Sequence, residues 1–406
     1  MLHFLGLFIV ILMPIQTSEA ATFVEYIQKI ESHPEPNVLL LEGEALREKG
    51  ASAGSWGDPL LKVAAQNFPE KSLKSSETPM TGIQYSLSQK LALTTEYGNL
   101  RRSFEALGEA KRLGAAQIKR EMIRTLWQLA IMLEKNEKDL KTLAENLNWL
   151  SNMLAVSKKR YTNGRLSQQG YMDIKIRKSK LESQVSNLGF FAKELQAELT
   201  YLLGDQTAVL DLSSVPWGLL KGALDTEHDY KERALAKKLK ASDLKLTATK
   251  QGFVPNITLG MSYTHRAGID GAGDFVGAFI SMPLPTSSKK YGAYGNAVQK
   301  RYGAEKGLRA YQMRKRSNLM KVANTKDKLQ ADLKILSTKT IPFAKTSRAI
   351  SSKSYRLGRA TYFELLKSEL QLQEFLIHLN GLEAQLKSAQ LQERFWKGAY
   401  LGGTKK

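Results

Sequence analysis

The side chains best placed to do chemistry sit at two turns. Glu364 follows Gly358 by six residues, Asp173 follows Gly164 by nine, and Arg165 and Arg359 come directly after the two glycines. Carboxylates and guanidiniums gathered at a turn can tie neighbouring segments by ion pairs or set the charge of an aperture. The plainer alternative is a set of exposed charges, whose pairing is worth little. Gly164, Arg165, Asp173, Gly358, Arg359 and Glu364 are therefore the candidate site residues. His33, His228, His265 and His378 are scattered without metal-ligand spacing. No nucleophile–base motif, phosphate-cradling loop or paired-carboxylate signature is visible, and the glycines at 268, 271 and 273 read as a hairpin loop. No enzyme activity, cofactor or metal is expected.

The turns are the tips of helical hairpins. A polar segment ends at Tyr355-Arg356-Leu357-Gly358, where the glycine suits a left-handed helix terminus. Thr361 is a suitable N-cap for the stripe Leu365, Leu366, Leu370, Leu372, Phe375, Leu376, Leu379, Leu382 and Leu386, whose spacing marks one helix face. Arg160-Tyr161-Thr162-Asn163-Gly164-Arg165-Leu166-Ser167 repeats the pattern 194 residues upstream. Gly204 and Gly398 are again 194 residues apart, Tyr97-Gly98-Asn99 and Tyr294-Gly295-Asn296 are 197 apart, and Thr81-Gly82-Ile83 and Val276-Gly277-Ala278 are 195 apart. Such near-constant offsets point to a duplicated unit, far longer than a solenoid repeat. The first copy is expected over 21–204, with a β-hairpin at 58–93 and a helical hairpin at 97–204. The second is expected over 205–398, with a β-hairpin at 253–285 and a helical hairpin at 290–398; a short basic tail, 399–406, follows.

Each copy opens with a helix. Thr22 to Gly50 is helical in pattern with a break at Pro34 and Pro36, Ala51 to Pro59 is a linker by composition, and Leu219 to Gly252 reads as the corresponding helix of the second copy. Strands follow. Ile83, Tyr85, Leu87 and Leu91, then Ile257, Leu259, Met261 and Tyr263, then Val276, Ala278, Ile280 and Met282 alternate with small or polar residues. The alternation gives one greasy and one wet face, and strands of about 9–11 residues suffice to cross a tilted bilayer path. The long helices from Asn99 to Tyr161 and from Asn296 to Arg356 run about 60 residues, or roughly 90 Å at 1.5 Å per residue. Pro342 lies inside the second and is expected to kink or interrupt it.

An apolar run from Phe4 to Ile15 precedes a small-residue site, which reads as a secretory signal over 1–20, cut near Ala20. There is no cysteine among the 406 residues, so disulfides and thiolate sites are excluded. The formal charge is +21, but the basic residues are spread along the helices without interleaved aromatics. A solvated helix face is the reading, rather than a nucleic-acid site. Four strands cannot close a barrel and open edges are not tolerated in lipid, so closure requires several chains.

Taken in order, these residues make the chain resemble the TolC family of outer-membrane efflux proteins. The resemblance rests on Trp56-Gly57-Asp58-Pro59-Leu60, Leu87-Ser88-Gln89-Lys90-Leu91, Arg160-Tyr161-Thr162-Asn163-Gly164 and Leu202-Leu203-Gly204. In the second copy it rests on Val254-Pro255-Asn256-Ile257-Thr258-Leu259-Gly260, Met282-Pro283-Leu284-Pro285, Ile341-Pro342-Phe343-Ala344 and Tyr355-Arg356-Leu357-Gly358. The Asp-Pro linker and the Ser-Gln strand end are similar to the cation-efflux branch. The resemblance implies a mainly α chain with transmembrane β: long hairpins forming an α-barrel, and four strands joining a homotrimeric, 12-stranded outer-membrane β-barrel. It also implies an export duct in the outer membrane, working with a periplasmic adaptor and an inner-membrane transporter. Its closed state would be held at the helical tips and opened by an iris-like untwisting. Family members often carry acids just after the tip glycines; Glu364 holds such a place, while Gly170 and Lys367 depart from that pattern. A duct for type I protein secretion and a pore-less periplasmic coiled-coil adaptor or scaffold remain the competing readings.

Overall fold

The computed structural model describes residues 20–203, 209–222 and 226–402. Residues 1–19 of the expected signal segment over 1–20, the helix end at Gly204 and residues 403–406 of the expected tail lie outside them. In chain order the elements are β1 (Ala20–Ala21), α1 (Phe23–Glu31), α2 (Pro34–Ala53), β2 (Leu60–Gln66), β3 (Gly82–Leu91), α3 (Glu96–Thr162), α4 (Gln168–Leu203), β4 (Val209–Leu210), α5 (Tyr230–Gln251), β5 (Ile257–Arg266), β6 (Phe275–Ser281), α6 (Ser288–Ile335), α7 (Ile341–Arg356) and α8 (Tyr362–Trp396). No described helix is long and apolar enough to cross a membrane. The contacts divide into two compact units: Glu35–Gln117 with Tyr230–Arg314, the strand unit, and Met1–Pro34, Ile118–Asp229 and Lys315–Lys406, the tip unit. Each draws on both halves of the sequence.

In the strand unit the order is β2-β3-β5-β6, antiparallel throughout. The two hairpins join through β3 and β5, whose ladder runs from Gly82↔Arg266 to Leu91↔Ile257. The inner strands have 10 residues each and the edge strands β2 and β6 have 7 each, so the edges fall short of the expected length. Small residues let the helices of this unit approach closely. Ala234, Ala241 and Ala248 recur every seven residues along the buried face of α5, and Ser103 Oγ donates to the Ala241 carbonyl at 2.7 Å. A Cβ on Gly43 would stand 3.1 Å from the Gly108 carbonyl, and one on Gly108 would stand 2.8 Å from the Gly43 carbonyl, so this crossing needs glycine on both helices.

Three expectations are corrected here. The first helix does break before Pro34, at Ser32-His33, but the prolines lie inside the next helix: α2 begins at Pro34 and takes in Pro36, because a helix's first turn leaves its N–H groups unpaired anyway. That helix also runs into the expected linker as far as Ala53. The segment Leu219 to Gly252 is not one helix: Trp217–Lys221 is a 3-10 turn capped by Gly222, and the α-helix starts only at Tyr230.

In the tip unit, Leu143, Asn146, Leu150, Met153 and Ser157 are buried along α3 in steps of three and four, one face of the helix. A larger core at the far end gathers Phe23, Tyr26 and Ile30 of α1 with Trp127, Leu199, Leu391 and Phe395. Of the expected basic tail over 399–406, the described part, 399–402, packs against this core. Ala399 and Leu401 are buried, Trp127 Nε1 donates to the Leu401 carbonyl at 2.7 Å, and Arg120 donates to the Ala399 carbonyl at 3.0 Å.

Pro342 neither breaks nor caps its helix. The preceding turn, Leu336–Thr340, is π-helical, and the Ile341 N–H reaches back five residues to the Leu336 carbonyl. Proline offers no N–H and its ring crowds the carbonyl four residues back; a π turn relieves both. Ser337 Oγ donates to the Leu333 carbonyl at 2.7 Å and Thr338 Oγ1 to the Lys334 carbonyl at 2.6 Å, supporting acceptors in the disturbed stretch.

Candidate functional site

The two tips share one backbone design. At the first, the Gly164 N–H bonds the Tyr161 carbonyl at 3.0 Å and the Arg165 N–H bonds the Arg160 carbonyl at 2.8 Å. At the second, the Gly358 N–H bonds the Tyr355 carbonyl at 3.1 Å and the Arg359 N–H bonds the Ser354 carbonyl at 2.9 Å. Both are Schellman closures, which need a left-handed residue, and Gly164 and Gly358 supply φ of +69° and +73°.

The caps that follow differ, and the difference reassigns Glu364. Thr361 Oγ1 accepts from the Glu364 N–H at 3.2 Å, and the Glu364 carboxylate accepts from the Thr361 N–H at 3.0 Å. This is a capping box, so Glu364 holds the start of α8 in place. At the first tip Ser167 Oγ accepts from the Gly170 N–H at 3.1 Å, with no acid to reciprocate. Gly170 is buried because the Tyr362 ring lies on it; a Cβ there would meet ring atoms at 2.7 and 2.8 Å.

That ring is the cross-link. Tyr362 Oη donates to Asp173 Oδ2 at 3.1 Å, joining the start of α8 to the start of α4 across 189 residues of chain. Burial, followed by the hydrogen bond to Asp173, raises the Tyr362 phenol above its ordinary range, so it stays a donor at physiological pH. Around it, Tyr161 and Tyr171 stack at 5.5 Å with planes 5° apart, and the Arg160 guanidinium lies 4.2 Å from the Tyr355 ring centre. Of the six candidates, Gly164 and Gly358 shape the turns, Asp173 receives the cross-link and Glu364 caps. Arg165 and Arg359 are exposed and form no ion pair among the described residues of the chain, so the expected tip ion pairs with Asp173 or Glu364 are absent within it. The sequence reading missed Tyr362, Gly170, Tyr355 and Arg160. The only signal was Gly170 in the place that Glu364 holds in the other copy.

Above the tips, polar groups occupy core positions. Asn146 Nδ2 donates to Gln373 Oε1 at 2.8 Å, Arg177 donates to the same oxygen at 3.1 Å, and Asn380 Nδ2 donates to Asp139 Oδ1 at 2.8 Å. Glu369 is 5 % exposed, and Arg348 Nε stands 3.0 Å from its Oε2 without the alignment of a hydrogen bond. Burial pushes the Glu369 carboxyl up, against the opposing pull of Arg348. Polar layers fix helix register and bind less strongly than apolar ones.

The sheet carries the second functional feature. Leu61, Val63, Tyr85, Leu87, Met261, Tyr263, Val276 and Ile280 share one face by register, and all eight are exposed. The opposite face holds Lys62, Gln84, Ser86, Ser88, Ser262 and Thr264. Ser86 and Thr264 are buried while Val276 is 76 % exposed, the reverse of a water-soluble sheet. Edges β2 and β6 have no partner strand among the described residues.

No protein-family model and no curated protein matches the chain in sequence. Solved structures do match in shape. The outer membrane protein VceC of Vibrio cholerae superposes with a TM-score of 0.73 at 16% identity, covering 94% of this chain and 97% of that one. CusC, described with transmembrane channel formation, gives 0.74 at 12% identity over 93% and 92%. The CmeC outer membrane channel of Campylobacter jejuni gives 0.71 at 11% identity over 94% and 86%. The chain has the fold of these outer-membrane channels, the TolC-type architecture of long helical hairpins and a four-stranded sheet.

Proposed function

We propose that the chain is one wall segment of an outer-membrane efflux duct, passing cargo from periplasm to exterior. One observation carries this reading: a four-stranded sheet with one exposed apolar face, one polar face and, among the described residues, no partner strand at either edge. Exposed apolar strands are stable in lipid, and free edges in lipid must be paired. The edges of one copy can be paired by the opposite edges of others; a homotrimer closes twelve strands. The duct would work with an inner-membrane transporter and a periplasmic adaptor, as the resemblance implies, and would lie in the outer membrane after export by the N-terminal segment. The repeat boundaries are part of the same reading, each copy contributing one strand hairpin and one helical hairpin. We assign the closed state to the tips, with Tyr362–Asp173 as its tie and Gly164, Arg165, Gly358 and Arg359 forming the turns around it.

Fractionation tests the proposal. A detergent-requiring trimer in the outer membrane that opens a conductance in planar bilayers is expected. A soluble, pore-less monomer would overturn it. Drug and metal susceptibility of a deletion strain would then name the cargo.

A further inference from the structure

The polar face of the sheet breaks its own pattern twice on one strand. Phe275 and Phe279 alternate with Val276, Ala278 and Ile280, so both rings lie with the serines, threonines and lysines. In the single chain, where β6 is an edge strand, they are 41 % and 42 % exposed, and they put flat apolar surface on the face that otherwise suits water.

Both rings are held. Phe279 is paired with Gly260 and lies directly on it, where any Cβ would strike the ring. Its row continues through Ser88 to Leu60, the other large apolar residue of this face. Phe275 is paired with Thr264, and the Arg266 guanidinium stacks on it with its centre 3.6 Å from the ring centroid. Arg266 is itself locked. Its side chain is 1 % exposed; it donates to Asp270 Oδ1 at 3.0 Å and Oδ2 at 3.2 Å, to the Pro79 carbonyl at 2.6 Å and to the Gly273 carbonyl at 2.8 Å. The small residues between the two rings, Gly277 and Ser262, leave the aromatic surface open.

Space filling explains part of this. A ring over a strand glycine restores lost packing. It does not explain Phe275, whose partner is not glycine, nor why both rings stay half-exposed on the wet side. Rigid rings with one covered and one free surface are what an aromatic contact site requires, since aromatic partners add offset-stacking attraction beyond simple burial.

We infer that Phe275 and Phe279 form a stacking site for planar aromatic cargo on the wall of the duct. This rests on the duct reading above, because only there does the polar face line a cargo path. Each copy would contribute one such pair, close to the hairpin loops where cargo leaves.

The test uses the full-length protein in planar bilayers, with naphthalene-1-sulfonate and methanesulfonate as probes. The two share a charged group and differ in the ring. Naphthalene-1-sulfonate is expected to block the wild-type current more strongly than methanesulfonate. In Phe275→Leu and Phe279→Leu, which keep apolar bulk without the plane, the aromatic block should weaken about three- to tenfold relative to each variant's own open current. If Phe279→Leu fails to insert, Phe275→Leu alone decides. Equal block by the two probes in a conducting wild type, or an unweakened aromatic block in Phe275→Leu, overturns the inference and leaves the duct reading standing. A wild type without conductance overturns the duct reading, and the inference falls with it.

Discussion

Replacing Tyr362 by Phe deletes one oxygen from the tip and keeps the ring on Gly170. The lost bond, 3.1 Å from a phenol to the Asp173 carboxylate, is of the charge-assisted kind, worth about 1.5–3 kcal/mol when removed. Both side chains are half-buried, so Asp173 recovers water and the lower figure applies. Gln169 Nε2 stays within 3.4 Å of Asp173 as a weak substitute. About 1.5 kcal/mol changes the ratio of tied to untied tips about tenfold. If three tips must release together and act independently, the closed-to-open ratio changes about a thousandfold. The assay is spontaneous opening in planar bilayers, with uptake of a large antibiotic by whole cells as the parallel readout. Opening should rise while the thermal midpoint of the detergent-solubilised protein barely moves, because the tie lies at one end of the unit, away from its large core. A double-mutant cycle with Asp173→Ala should give a coupling of about 1 kcal/mol or more. Wild-type opening in Tyr362→Phe, or a coupling near zero, would refute the assignment of the tie.

Other outcomes follow from the same geometry. Gly170→Ala should displace the Tyr362 ring and raise opening as Tyr362→Phe does, since its Cβ would meet the ring at 2.7 Å; wild-type leakiness in a folded variant would count against the packing account. Glu369 has its carboxyl pKa raised by burial, so the protonated form favours the folded state; this contribution is full below the ordinary value of 4.5 and is lost as pH rises through the raised value. Thermal midpoints of wild type and Glu369→Gln should therefore draw together at acid pH and separate above about 4.5, with the variant higher; parallel curves would show that the buried carboxyl does not titrate there. Pro342→Ala restores an N–H donor and should raise stability by about 1–3 kcal/mol. Collapse of the π turn to an α turn would also rotate α7 and the Tyr355 tip, so its gating should change; a variant with unaltered melting and gating would show that the proline does not set that turn.

Much of this chain could be read without its structure, because the relevant forces are local. Alternation with period two gave three of the four strands, and a glycine after Tyr-x-x or Tyr-Arg-Leu gave two helix ends, since left-handed backbone is cheap only there. The capping role of Thr361 was legible in the same way. Glu364 was not, although Thr361-Tyr362-Phe363-Glu364 is itself a capping-box pattern; its charge drew the reading toward an aperture. The start of α2 at Pro34 and the π turn before Pro342 depend on how a helix absorbs a missing N–H, which neighbouring turns decide.

Sequence by itself determined which residues are strand, helix and tip, and which strand face is greasy, because each follows from the pitch of a single element. Only the tertiary structure decided what meets across the chain: β3 beside β5, Tyr362 lying on Gly170 and reaching Asp173, two phenylalanines on the wet face with their partners. Those contacts join residues up to about 190 positions apart, as Tyr362 and Asp173 show. They are chosen by shape, burial and hydrogen-bond geometry acting together once the elements pack, and no local periodicity encodes them.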